Sequence, residues 1–170
     1  MSDQQYVLSE ATAARFAREV AKYPAEGKQS AVMACLSIVQ QEEGFVARSA
    51  EDAIAAYLGM PAIAVYEVTT FYNMYNQKKV GQFKLNVCTN LPCQLRDGQK
   101  ALEHLCTKLG VEMGGTTADG VFTVQQSECL GACADAPVML VNDRQMCSFM
   151  SHQRLDELVD VLRANAAPNN

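Results

Sequence analysis

The chain has 170 residues, 49% of them apolar, and carries a net charge of −5 with an isoelectric point near 5.0. That length gives one ordinary domain, or a small domain with a helical appendage, and enough apolar surface for a core that does not rely on a metal to fold. The acidic balance, with no basic stripe, argues against nucleic-acid binding, which runs on Lys and Arg contacts to phosphates.

The opening Met-Ser-Asp-Gln-Gln has neither the pattern of a secretory signal nor that of a transit peptide. No apolar run approaches the ~18–20 residues of a membrane span, so a cytosolic protein is expected. Ser9 can cap a helix whose Ala13, Phe16, Ala17 and Val20 share one face, and Pro24 and Gly27 end it. Val32, Cys35, Leu36 and Val39 form the next apolar stripe, closed by Gly44. Ser49 with Asp52 resembles a capping box ahead of Ile54, Tyr57 and Leu58, with Gly59 behind them. Pro61 suits a first helical position, followed by a helix through Val65, Val68 and Tyr72.

The pattern changes near Val80-Gly81. Gln82 to Val87 alternates and predicts a strand with Cys88 at its end. Leu95 to Leu109 predicts a helix with Leu102, Leu105, Cys106 and Leu109 inward. A turn-rich loop, Gly114 to Gly120, leads to a second strand, Val121 to Gln125. Pro137–Val141 and Gln145–Phe149 flank Asn142-Asp143 as a β-hairpin. Leu155, Leu158, Val159 and Leu162 mark a last helix. The expected architecture is α+β: an N-terminal helical bundle over residues 1–78, a thioredoxin-like β-α-β-β-β-α domain over 79–165, and a frayed tail over 166–170.

Seven cysteines in such a chain point to metal or redox chemistry rather than disulfides. Cys88 and Cys93 are spaced C-x4-C after the first strand, and Cys129 and Cys133 are spaced C-x3-C after the second. If those strands are neighbours, four thiolates converge at one sheet edge. A [2Fe–2S] cluster needs that supply, two thiolates for each iron. The short residues between them, Thr89, Asn90, Gly131 and Ala132 among them, let backbone N–H groups approach sulfur. Such donors matter for a centre whose charge is about −2 oxidised and about −3 reduced.

Other readings of the four cysteines are weaker. A structural zinc site favours C-x2-C knuckles. Two disulfides are disfavoured by the expected compartment. A thiol catalyst of the thioredoxin type needs C-x-x-C at a helix start, and a Rieske site needs two histidines beside cysteines. His104 and His152 lie away from both pairs and read as surface residues. Cys35 and Cys106 read as small core residues, and the face of Cys147 is left unassigned. No Ser/His/Asp set or Gly-rich phosphate loop is visible.

These residues resemble the E subunit of NADH:quinone oxidoreductase (respiratory complex I), a family of thioredoxin-like [2Fe–2S] proteins. The resemblance rests on Glu67-Val-Thr-Thr-Phe-Tyr72, Val87-Cys88-Thr89 with Pro92-Cys93, and Gly114, Thr116-Thr117, Asp119-Gly120 and Phe122-Thr123. It is strongest over Glu128-Cys129-Leu130-Gly131-Ala132-Cys133 with Ala136-Pro137. Gly44-Phe45 stands where family members often carry Gly-Trp, and Ser148-Phe149-Met150-Ser151-His152 departs from the usual entry to the last helix. The resemblance implies a one-electron carrier whose helical part docks on a flavoprotein subunit that binds FMN and oxidises NADH. The cluster would lie off the main electron route, as a transient store for one of the two electrons from NADH. The chain would sit in the peripheral arm, on the cytoplasmic side of an inner-membrane complex, and would catalyse nothing alone. Two alternatives stand beside it: the equivalent diaphorase component of an NAD-linked hydrogenase or formate dehydrogenase, and a structural component holding zinc for assembly.

Overall fold

Ser9 has the extended backbone of an N-cap, and its Oγ accepts the Thr12 N–H at 3.1 Å, which opens helix α1 (Glu10–Val20). The computed structural model describes residues 5–167. The start of the chain, Met-Ser-Asp-Gln, and residues 168–170 of the expected frayed tail lie outside them. Phe16 is buried as expected, but Ala17 is exposed and Thr12 takes the inward place. Burial of Thr12 is tolerated because its hydroxyl donates to Glu42 Oε2 at 2.8 Å. An unexpected 3-10 turn, Ala25–Ala31, leads into α2 (Val32–Glu43). Val32, Cys35, Leu36 and Val39 all point inward, and Gly44 ends α2 at φ +80°, where a Cβ would be strained.

Helix α3 (Arg48–Leu58) closes on Gly59. Its start corrects the expectation: Ala47 is the N-cap, and Ser49 lies inside the helix. Ser49 Oγ instead accepts the Tyr6 N–H at 3.2 Å, so it fastens the N-terminal segment. Pro61 is the N-cap of α4 (Ala62–Phe71) rather than its first residue. Phe16, Leu36, Val39, Ile54, Leu58 and Val65 form the core of this helical unit. Glu51 is buried within it, satisfied by the Thr69 hydroxyl at 2.5 Å and the Arg48 guanidinium at 3.0 Å.

The chain divides into two compact units between Lys79 and Val80. The second unit holds strand β1 (Phe83–Cys88), a single turn α5 (Leu91–Gln94), helix α6 (Gly98–Leu109) and strand β2 (Phe122–Ser127). Strands β3 (Met139–Val141) and β4 (Gln145–Cys147) and helix α7 (His152–Ala164) complete it. The sheet order is β2-β1-β3-β4, with β1 and β2 parallel and the other pairs antiparallel. This is the mixed α+β class and the element order expected, with the first helix broken in two. The break falls at Asp97, which adopts φ +67°, so the helix expected from Leu95 starts at Gly98 and Leu95 is left 77% exposed.

Strand β1 does not alternate. Every residue from Lys84 to Cys88 is buried. The polar positions survive because the hairpin turn reaches them: the Lys84 ammonium lies 2.5 Å from Asp143 Oδ2, and Asn86 Nδ2 donates to Asp143 Oδ1 at 2.5 Å. Asn142 and Asp143 both adopt positive φ in that turn, as the hairpin reading requires. Leu85, Leu105, Phe122, Val124, Met139 and Leu155 fill the core. Ala167, in the tail expected to fray, exchanges two hydrogen bonds with the Gln82 side chain, at 2.8 and 2.9 Å. His104 and His152, expected as separate surface residues, stack at 4.2 Å, and His104 Nε2 lies 2.8 Å from Asp156 Oδ1. Among the described residues no helix is long and apolar enough to cross a membrane.

Candidate metal centre

Parallel pairing sets the site. Cys88 ends β1 in register with Ser127, the last residue of β2, so both cysteine loops leave the sheet at one edge. The first loop turns through α5, which carries Cys93 on its inner side. The second passes through Gly131 at φ +79° and a 3-10 turn, Cys133–Asp135. Two bonds tie the loops together: the Thr89 N–H donates to Ser127 O at 3.2 Å, and Asn90 Nδ2 donates to Glu128 Oε2 at 2.8 Å. The four predicted cysteines are thus brought to one end of the sheet, as their spacing implied.

The two pairs differ in exposure. Cys88 and Cys93 are each 1% exposed, packed with Ala136 and Val138 and flanked by Leu130 and Ala132. Cys129 and Cys133 are exposed, with their Sγ atoms 3.5 Å apart. The thiols feel one another. Burial pushes the Cys93 thiol up, against the pull of the Val138 N–H facing its sulfur, and Cys88 and Cys133 raise it further. The Cys133 thiol is raised first by its hydrogen bond with Cys129, then by burial and by charge on Cys129 and Cys88. Crowding of the sulfurs thus disfavours the thiolate forms of Cys93 and Cys133, which a neighbouring positive charge would favour.

A [2Fe–2S] core fits this donor set. It takes two thiolates on each iron, and the structure supplies one buried pair and one exposed pair. A single tetrahedral zinc would require all four sulfurs within about 2.3 Å of one point. Among the described residues no group of three or more His, Cys, Asp or Glu side chains is arranged to hold a single metal ion. Cys35 is buried in the helical unit and Cys106 lies half-buried on α6, so neither joins the site. Cys147 sits half-buried on β4, in register with Met139.

Several residues that shape the site carry little or no signal in the sequence. Gly98 brings the start of α6 against the first loop, where a Cβ would lie 2.7 Å from Cys88 O and 2.8 Å from Cys93 O. Ala136–Pro137 is a cis peptide. The segment before α7 buttresses the second loop: the Phe149 N–H donates to Asp135 O at 2.8 Å, Ser148 Oγ to Asp135 Oδ2 at 3.1 Å, and the Met150 N–H to Pro137 O at 2.9 Å. The Asp-Gly dipeptide is a usable signal for Gly98. No sequence pattern announces the Ser148–Met150 contacts, which join distant segments.

Comparison with known proteins agrees with this geometry. The thioredoxin-like [2Fe–2S] ferredoxin family matches residues 16–163. The chain is 39% identical over 145 residues to the E subunit of the Rickettsia conorii NADH-quinone oxidoreductase, covering 85% of this chain and 86% of that one. It is 40% identical over 144 residues to NADH-quinone oxidoreductase subunit 2 of Thermus thermophilus, covering 85% and 80%. Its fold also resembles part of a crystal structure of an NAD+-reducing [NiFe]-hydrogenase, with a TM-score of 0.67 at 20% identity. That match covers 81% of this chain and 23% of the hydrogenase chain. A match over most of the sequence, with the cysteines gathered at one sheet edge, leads to one conclusion: the chain belongs to the thioredoxin-like [2Fe–2S] ferredoxin family.

Proposed function

We propose that Cys88, Cys93, Cys129 and Cys133 hold the family's [2Fe–2S] cluster, and that the chain is the one-electron carrier of the NADH-oxidising part of an NADH:quinone oxidoreductase. The observation that carries this reading is the meeting of two cysteine pairs at the end of the parallel β1–β2 pair. The whole-length relation to the E subunits supports the parent complex. When bound, the cluster supplies a centre that gains and loses single electrons. The chain's own residues supply its setting. Cys88 and Cys93 are shielded from water on the inner side, and the Asn90–Glu128 bond ties the two loops together.

The partner in this reading is a flavoprotein that binds FMN and NADH, in a complex whose peripheral arm lies on the cytoplasmic side. Two exposed apolar groups support partner contact. Leu91 (64% exposed), Leu95 and Phe149 stand by the cysteine loops, and Ile63, Tyr66 and Phe71 lie along the outer side of α4 in the helical unit. The helical unit, taken as residues 1–78, docks on the partner, and residues 79–165 carry the cluster. The equivalent component of an NAD-linked hydrogenase shares the fold, but the sequence relation over most of the chain favours the quinone-linked complex.

Iron and sulfide analysis with redox spectroscopy on the purified chain tests the reading. The expected result is about two irons and two sulfides per chain, with a one-electron paramagnetic signal on reduction. A colourless protein holding one zinc would sink it. Copurification of the flavoprotein with either quinone-reducing or hydrogenase subunits decides the parent complex.

A further inference from the structure

The two cysteine pairs differ in what can reach them. Cys88 and Cys93 are each 1% exposed. Their loop is held by backbone hydrogen bonds from the Cys88 N–H to Val138 O, the Thr89 N–H to Ser127 O, the Gln94 N–H to Asn90 O and the Arg96 N–H to Cys93 O. Cys129 and Cys133 are exposed, and their sulfurs already lie 3.5 Å apart. Between them, Gly131 adopts φ +79° with nothing within 4 Å of the position a Cβ would occupy. Among the described residues no backbone hydrogen bond is made by Cys129, Leu130 or Gly131. A disulfide needs sulfurs at about 2.05 Å, so closure asks for a shift of only ~1.5 Å, which falls on the Cys129–Gly131 stretch because Ser148 and Phe149 brace Asp135 on the far side of Cys133.

We propose that the cluster-free chain carries a redox gate on cluster loading: Cys129 and Cys133 close into an intramolecular disulfide when a low-molecular-weight disulfide is present, and they take up iron only after reduction. This rests on the four-cysteine reading above. In the first step one of the two exposed thiolates attacks a sulfur of the small disulfide. A mixed disulfide forms and one small thiolate leaves. In the second step the other cysteine attacks the protein-side sulfur of that mixed disulfide. The Cys129–Cys133 bond forms and the second small thiolate leaves. The two cysteine sulfurs are oxidised, the small disulfide is reduced to two thiols, and the two cysteine protons pass through water to those thiols.

Selectivity follows from burial. A small disulfide cannot align with sulfurs that are almost fully shielded, so Cys88 and Cys93 stay reduced. With two of four donors consumed, one iron has no thiolate pair. Held in the cluster, the same sulfurs are bound to iron and are not free to attack. The gate therefore acts on the empty chain and spares the loaded one.

The test uses the full chain. The cluster is removed by chelation under reducing conditions, and the empty chain is exposed to glutathione disulfide and mapped by mass spectrometry without reduction. The expected product has lost two hydrogens, links Cys129 to Cys133, and reverts with a thiol reductant. Cluster reconstitution, followed as iron and sulfide per chain, is lost in the oxidised chain and returns on reduction. In Cys133→Ser the expected product is a stable mixed disulfide on Cys129 with no internal link. A link that includes Cys88 or Cys93, the absence of any link, or equal reconstitution of oxidised and reduced chains would overturn the gate. Failure of the cluster reading itself is distinguishable: the reduced chain would then fail to take up iron and sulfide at all.

Discussion

Cys88 stands opposite Ser127 in the parallel register of β1 and β2, so the two loops that begin there share one edge of the sheet. That single pairing turns two separate cysteine spacings into one donor set. Cys35, Cys106 and Cys147 lie on other elements, α2, α6 and β4.

Substitution of the cysteines is expected to divide them into two groups. Cys88→Ser and Cys129→Ser disrupt the native cluster, while Cys35→Ser and Cys106→Ser keep it. Cys35 is fully buried, so its serine variant places a hydroxyl in the helical core and loses about 1–3 kcal/mol. Iron and sulfide content, paramagnetic spectra and denaturant unfolding separate the outcomes. Normal cluster spectra in both ligand variants would refute the assignment.

Gly81→Ala should destabilise the second unit without altering the cluster ligands. A Cβ at Gly81 would lie 2.7 Å from the Phe122 carbonyl carbon and 2.9 Å from the Val121 carbonyl carbon, both backbone atoms. The Gly81 N–H also donates to Thr123 Oγ1 at 2.7 Å, which pins the approach. Relief requires strands to move, at a cost of about 1–3 kcal/mol. A urea midpoint equal to that of the unaltered protein would show that the backbones are not so close.

Ser9→Ala is expected to lower stability by about 1 kcal/mol, since Ser9 Oγ caps the Thr12 N–H at the start of α1. Ser9→Asp, which can accept the same bond, should restore most of the loss. Thermal unfolding of the three proteins at one pH checks the order.

Burial in the helical core raises the Cys35 thiol to about 11, assisted by the Glu19 charge and opposed by Lys28. An unfolded thiol ionises near 8.5. Below that value both states hold the proton, and the folded thiol contributes its full stability. Between about pH 9 and 11 the unfolded state loses its proton and the folded state keeps it, so stability falls as pH rises. The loss from this group is about 1–3 kcal/mol by pH 11. Cys35→Ala removes the titration, so the stability difference between the two proteins should narrow from pH 9 to 11. A constant difference across that window would show that Cys35 is not shielded. By the same shielding, alkylation of Cys35 at pH 8 should require unfolding.

Much of the helical unit is legible because its signals are local. Gly44 and Gly59 end helices by adopting positive φ, which depends only on the missing Cβ, and Val32, Cys35, Leu36 and Val39 face inward because 3.6 residues make a turn. Ser49 misleads because the capping pattern is short. A serine two residues from a helix start can equally accept a bond from a distant segment, here the Tyr6 N–H. Leu95 misleads because Asp97 breaks the helix by taking a left-handed conformation that Asp tolerates but does not advertise.

Spacing along the chain, by itself, determined which cysteines form two close pairs and which end of each strand they follow. Composition and chain order determined the α+β class. The tertiary structure alone decided that one pair is shielded and the other open, that Lys84 and Asn86 are buried against Asp143, and that Ser148 and Phe149 brace the loop of Cys133. The physical reason is range: caps, turns and periodicity act within a few residues. Burial, and the partners that make buried polar groups tolerable, are set by segments far apart in the chain, as with Lys84 and Asp143, which pair across the sheet.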